Sequence, residues 1–216
     1  MLRIVEIISG GPNERSRVNS GAKKTRRISR LWPLMLIMAT GLTATARAQQ
    51  YFEVDCSGAT PGDYTTFGSA LAAAGNSAQT VVPQITYVVA VAGPCNETIN
   101  INNATNLNVG ALFGTTVTIN GSVNVTGSNS VFLYGLNVTN PAGNGFNITS
   151  SHNVTLWTCT GNGNQGVGLQ VGTLSDVTVD GPASFDNNGG GGVGAGNNSV
   201  LNLATWGGPV DISRNQ

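Results

Sequence analysis

The sequence predicts an all-β chain, a right-handed parallel β-helix with three short strands per coil and a short N-terminal capping helix. Three observations carry that prediction. The first is a repeat. Phe146 and Ile148 return as Leu169 and Val171, and Val154 and Leu156 return as Val177 and Val179, all four steps being equal. A fixed period of about 23 residues marks a solenoid, in which each repeat is one coil stacked on the last. The second is period-two alternation inside the repeat, which puts apolar side chains on one face of a strand. The third is composition: charged residues make up 9% of the chain, and there are 30 glycines. Water-facing helices are rich in Lys, Glu and Arg, whereas Gly and Asn belong in turns.

Residues 1–48 read as an N-terminal extension and a secretory signal peptide. Lys23, Lys24, Arg26, Arg27 and Arg30 precede the apolar run Leu31–Leu42, and Ala46-Arg47-Ala48 offers small residues for cleavage before Gln49. The apolar run is shorter than the ~20 residues a membrane-crossing helix needs, so the mature form is expected to have no membrane span. Residues 49–216 are then a secreted domain, placed outside the cell, on its surface or in a periplasm. Charge is segregated across this boundary. Arg214 is the one basic residue after Arg47, set against Glu53, Asp55, Asp63, Glu97, Asp176, Asp180, Asp186 and Asp211, a formal charge of −7. A nucleic-acid partner is excluded on that ground, because such binding needs clustered Lys and Arg. Export also makes Cys56 and Cys95, which flank the first structured segment, an expected disulfide.

In chain order, Phe67, Ala70, Leu71 and Ala74 fall at helical spacing, with Gly75 and Asn76 as the stop. A small helix here would cover the open end of the stack. An apolar strand follows over Ile85–Val91, then a turn at Gly93-Pro94 and a strand over Thr98–Ile101. From there the coils align in columns. One holds Ile99, Val123, Phe146, Leu169 and Val193; a second holds Leu107, Val131, Val154, Val177 and Leu201. The second column keeps the same offset from the first in every coil, which a chance alternation would not give. A looser third column runs through Val117/Ile119, Leu136/Val138, Cys159, Phe185 and Val210/Ile212. Cys159 thus reads as a buried, inert thiol. The handedness rests on the general rule for parallel crossovers. No capping element follows Ile212, so the chain reads as the N-terminal part of a longer β-helix, truncated at its C-terminus, with capping of that end by a partner as the alternative.

Three stretches, DYTTFGSALAAAG, ITYVVAVAGPCNETINI and NLNVGALFGTTVTING, resemble the capping helix and early coils of the pectin-lyase-like right-handed β-helix superfamily. The resemblance covers about Phe52 to Gln216. It implies the fold, and an exposed parallel sheet as the place where such proteins act on acidic polysaccharides. The enzymes of that superfamily use clustered carboxylates, often holding calcium, together with Arg, Lys or His. Here the domain has Arg214 and His152, and neither stands in a matching motif.

Outward-facing residues are the candidates for function. Asn100, Asn124, Asn147, Gln170 and Gly194 lie between the inward pairs of the first column. They read either as a side-chain hydrogen-bond ladder or as a strip for sugar hydroxyls. On the second column Phe132, Tyr134, Trp157, Asp176 and Asp180 face out. They read either as a sugar-binding strip, rings stacking on sugar faces and carboxylates accepting from hydroxyls, or as a surface covered by a loop. Asp176, Asp180 and Asp186 could hold calcium if the turn returns Asp186 to the other two; no other cofactor is implied. The candidate binding set is therefore Tyr134, Trp157, Asp176, Asp180, Asn124, Asn147 and Gln170. The expected function is that of a secreted polysaccharide-binding, adhesion or surface module with no catalytic centre of its own. The alternative is the N-terminal fragment of a polysaccharide lyase or glycoside hydrolase.

Overall fold

A computed structural model of the chain describes residues 49–59, 64–77, 85–196, 198–204 and 206–216; the expected extension and signal peptide, residues 1–48, lie outside them. The first described element is strand β1 (Gln50–Asp55). Helix α1 (Phe67–Ser77) follows. Thr66 caps the helix, its hydroxyl accepting from the Ser69 amide at 3.1 Å. Glu97 closes the same end from outside, its two carboxylate oxygens taking the Phe67 and Gly68 amides at 2.7 and 3.0 Å. These are first-turn N–H groups that an isolated helix leaves unpaired. Phe67, Ala70 and Ala74 are buried, which is the apolar face the spacing predicts. The helix runs through Gly75 and Asn76 to Ser77, so the two breakers form its last turn instead of following it.

Strand β2 (Thr86–Ala92) comes next. Five coils follow it, each contributing three strands. The first has β3 (Ile99–Asn102), β4 (Thr105–Ala111) and β5 (Val117–Asn120). The second has β6 (Val123–Thr126), β7 (Asn129–Tyr134) and β8 (Leu136–Thr139). The third has β9 (Phe146–Thr149), β10 (His152–Trp157) and β11 (Thr160–Gly161). The fourth has β12 (Leu169–Gly172), β13 (Asp176–Asp180) and β14 (Ala183–Ser184). The fifth has β15 (Val193–Ala195), β16 (Val200–Leu203) and β17 (Val210–Asp211).

The strands assemble into three parallel sheets, one for each position in the coil. The first sheet is β3-β6-β9-β12-β15, and the third is β5-β8-β11-β14-β17. The second is longer, β1-β2-β4-β7-β10-β13-β16, because β1 and β2 extend it past the first coil. The predicted columns are the observed registers. Ile99 pairs with Val123, Val123 with Phe146, Phe146 with Leu169 and Leu169 with Val193. Likewise Leu107, Val131, Val154, Val177 and Leu201 pair in turn. Their side chains meet in one buried cluster that α1 joins through Phe67, Ala70 and Ala74, with Val193 and Leu201 of the last coil packed half-buried against it. The chain is thus an all-β solenoid of five coils with one short helix before it.

The third column needs a correction. Thr160 pairs with Ser184, which puts Ala183 in line with Cys159, and Phe185 in line with Gly161. Phe185 is fully buried, and a Cβ at Gly161 would sit 3.1 Å from its ring, so the glycine supplies the room that the ring occupies. Phe146 meets Phe185 edge-on at 6.4 Å. The expected disulfide is present, joining Cys56 after β1 to Cys95 before β3. No helix among the described residues is long and apolar enough to cross a membrane.

Polar ladders hold the turns. Between the first and second strands of successive coils, Asn103, Gly127, Ser150 and Thr173 all take φ of +49° to +61°. Ser128, Ser151 and Ser175 follow them and are buried. Each of their hydroxyls accepts the backbone N–H of the coil before: Ala104 to Ser128, Ser128 to Ser151 and Ser151 to Ser175, at 3.0–3.4 Å. At the opposite corner, Asn164 and Asn188 are buried, and their side-chain oxygens accept the Asn140 and Asn164 amides at 2.7 and 2.9 Å. Buried polar atoms in a narrow core require such partners.

Candidate functional site

The outer face of the second sheet carries an aromatic groove. Two outward rows meet there. Tyr51, Tyr87, Asn108, Phe132 and Thr155 align across β1, β2, β4, β7 and β10. Two residues on, Glu53, Val89, Gly110, Tyr134, Trp157 and Asp180 align in the same way. The groove has a volume of about 590 Å³ and also takes in Leu112 and Phe113. These two come from an inserted turn: five residues separate β4 from β5, whereas Gly135 alone separates β7 from β8. The insertion lifts Phe113 away from the sheet, where it stays 79% exposed.

Four rings are linked through contacts of nearly parallel planes. Phe113 meets Trp157 at 5.8 Å and 23°, Trp157 meets Phe132 at 6.3 Å and 27°, and Phe132 meets Tyr134 at 5.7 Å and 29°. Glycines give these rings their places. A Cβ at Gly110 would fall 2.7 Å from Tyr134 Cγ, so the Tyr134 ring leans over the coil before it. A Cβ at Gly181 would fall 2.9 Å from the Trp157 indole, which leans toward the coil after it. Val89 is buried although it stands outside the core cluster, and it belongs to the groove lining.

The groove's polar groups are nearly all neutral. Burial raises the Tyr134 phenol to about 12, helped by the facing phenols of Tyr51 and Tyr87. Burial also raises Tyr51, with the nearby Glu53 carboxylate adding to the effect. The Tyr134 and Tyr51 phenols therefore stay protonated at neutral pH and can both donate and accept. Asp180 is the charged member of the lining. Its Oδ1 accepts the Gly181 and Gly207 amides at 2.7 and 3.2 Å, which fixes the carboxylate at one end.

Of the sequence candidates, Tyr134, Trp157 and Asp180 come together here. Asp176 lies at the other end of β13, exposed. Asn124, Asn147 and Gln170 lie on the first sheet, away from the groove. There the asparagines bond to each other, Asn124 Nδ2 donating to Asn100 Oδ1 and Asn147 Nδ2 to Asn124 Oδ1, both at 2.9 Å. Asn144 Nδ2 donates to Asn147 Oδ1 at 2.7 Å. Gln170 leaves this ladder and turns to its neighbour's carbonyl, that of Val171, at 3.4 Å.

Asp186 does not return to Asp176 and Asp180. It is buried and turned to the next coil, where the Ser213 amide and hydroxyl both donate to it at 2.8 Å and Arg214 forms an ion pair with it. These donors hold its carboxyl below the usual range. Among the described residues, the His, Cys, Asp and Glu side chains that converge are Cys56, Cys95 and Glu97. The two sulfurs are joined to each other and Glu97 caps α1, so this cluster is structural. Cys159 is fully buried, with its thiol raised to about 12 by burial.

Sequence reasoning missed Tyr51, Tyr87, Leu112 and Phe113 as groove residues. The alternation of Phe52 and Val54 with Tyr51 and Glu53 signals β1, and Tyr87 stands at an outward position of β2. Phe113 sits in a turn, where period two has no meaning. No family model, curated protein or solved structure matches the chain.

Proposed function

We propose that this chain is a secreted polysaccharide-binding β-helix that holds its ligand against the second sheet, as a non-catalytic relative of the pectin-lyase-like superfamily. The single observation that carries the reading is the linked four-ring array in an open groove edged by neutral hydroxyls. Sugar rings present apolar C–H faces and a rim of hydroxyls. Aromatic faces complement the first, while phenols, amides and a fixed carboxylate complement the second. The groove spans five strand-to-strand steps from β1 to β13. At about 4.8 Å each they give ~24 Å, room for several sugars of one chain. The charge distribution supports a binding role: Arg214 is engaged by Asp186, away from the rings. The leader and the Cys56–Cys95 disulfide support export.

Expressed with its own leader in an exporting host, the chain should be recovered outside the cytoplasm with Gln49 as its first residue. In affinity gels containing soluble polysaccharides, at least one should retard it, and Trp157→Ala should abolish the retardation. The same protein should release no unsaturated uronate from pectin, read by ultraviolet absorbance. Migration unchanged in every polysaccharide, or a Trp157→Ala variant as strongly retarded as the parent, would rule out the binding reading.

A further inference from the structure

Resting on that binding reading, we infer that the groove selects a neutral glycan with equatorial hydroxyls, a β-linked gluco- or xylo-configured chain, and discriminates against polyuronates. Charge favours a neutral ligand. The lining contains the Asp180 carboxylate and no cation, and Glu53 stands beside Tyr51 at the other end. Nine of the ten basic residues lie at or before Arg47, and the tenth, Arg214, is paired with Asp186. An anionic chain bound here would meet two carboxylates and find no guanidinium or ammonium to accept hydrogen bonds from. Recognition of carboxylates and sulfates ordinarily rests on such cations.

Hydrogen bonding favours hydroxyls. The Tyr51, Tyr87 and Tyr134 phenols and the Asn108 amide are uncharged groups able both to donate and to accept, which matches hydroxyls better than carboxylates. Shape favours flat sugar faces. Successive rings in the array are tilted by 23° to 29° at 5.7 to 6.3 Å, a succession of nearly parallel faces. A pyranose whose hydroxyls are all equatorial has two flat apolar faces to lay on such surfaces. A galacto-configured unit has an axial O4, which interrupts one face with a polar atom and, where the chain is linked through it, bends the chain off a flat array of rings.

The test titrates the secreted protein with soluble cello- and xylo-oligosaccharides, β-1,4-galacto-oligosaccharides and oligogalacturonates. Each titration is run at about 20 and about 500 mM NaCl, where the screening length falls from ~20 Å to ~4 Å. Gluco- or xylo-configured ligands should bind about tenfold or more tighter than galacto-configured ones, with constants that salt leaves unchanged. Oligogalacturonates should be weakest at low salt and gain as salt rises. Asp180→Asn should raise the oligogalacturonate affinity toward that of the neutral ligands. Tighter binding of oligogalacturonate than of any neutral ligand would overturn this inference while leaving the polysaccharide-binding reading intact, as would equal affinity for the gluco and galacto series. Failure of every oligosaccharide and polysaccharide to bind would overturn both.

Discussion

Replacing Asn147 by leucine separates the two roles an outward amide can have. Asn147 stands in the middle of the first-sheet ladder, donating to Asn124 at 2.9 Å and accepting from Asn144 at 2.7 Å. Leucine is close in shape and makes neither bond. A protein hydrogen bond contributes about 0.5–1.5 kcal/mol net, and because the freed amides here are half-buried and reach water, the total loss is about 1–2 kcal/mol. Urea unfolding of a domain this size has a slope of about 3 kcal/mol per molar, so the midpoint should fall by ~0.5 M. Asn100→Leu removes one bond at the exposed end of the same ladder. It should cost roughly half as much. Neither variant should alter glycan affinity, because the ladder and the groove lie on different sheets. A midpoint unmoved by Asn147→Leu, accompanied by lost glycan binding, would refute the structural assignment and return the amide strip to the candidate site.

Three further outcomes can be checked. Because Asp186 is held below the ordinary carboxylate range in the folded chain, the link it makes to Ser213 and Arg214 is intact above the unfolded value of about pH 4 and is lost as pH falls through the lower folded value. The protection of amides in residues 210–216, measured relative to their intrinsic exchange at each pH, should therefore fall as pH drops below about 4, a change absent in Asp186→Asn. Reducing the Cys56–Cys95 bond opens a separation of 39 residues. The loss expected is ~4 kcal/mol, and calorimetry should show a melting point lower by about 10 °C. Cys159, buried and with its thiol raised to about 12, should not react with a thiol-specific chromogenic disulfide until the chain is unfolded in denaturant.

The coil architecture was legible because it depends on distances along the chain. Ile99 to Val193 and Leu107 to Leu201 pair in the registers that their spacing predicts. The third sheet was less legible for a physical reason. Its strands β11, β14 and β17 are very short, and its paired positions step unevenly, the step from Val117 to Leu136 being shorter than a regular coil and that from Ala183 to Val210 longer. Turns of unequal length absorb these differences, and no periodicity records them. The groove was half legible. Tyr134, Trp157 and Asp180 recur at coil spacing, but Tyr51 and Tyr87 precede the first full coil, and Phe113 owes its position to an insertion.

Gly161 and Phe185 have a consequence for how the chain finds its native threading. Stacked coils of nearly equal length carry a hazard that ordinary domains lack: a strand displaced by a whole repeat still pairs with an apolar neighbour and still faces inward. Val, Ile and Leu recur down the first two columns and tell the coils apart poorly. A phenylalanine whose ring fits because the coil below it has a glycine cannot be so displaced without a clash or a void, and Tyr134 leaning over Gly110 imposes the same condition on the outer surface. Exchanging Gly161 for valine should thus slow refolding and populate mis-threaded chains out of proportion to the volume added. The irregular residues act as addresses that tell each coil which neighbour is its own.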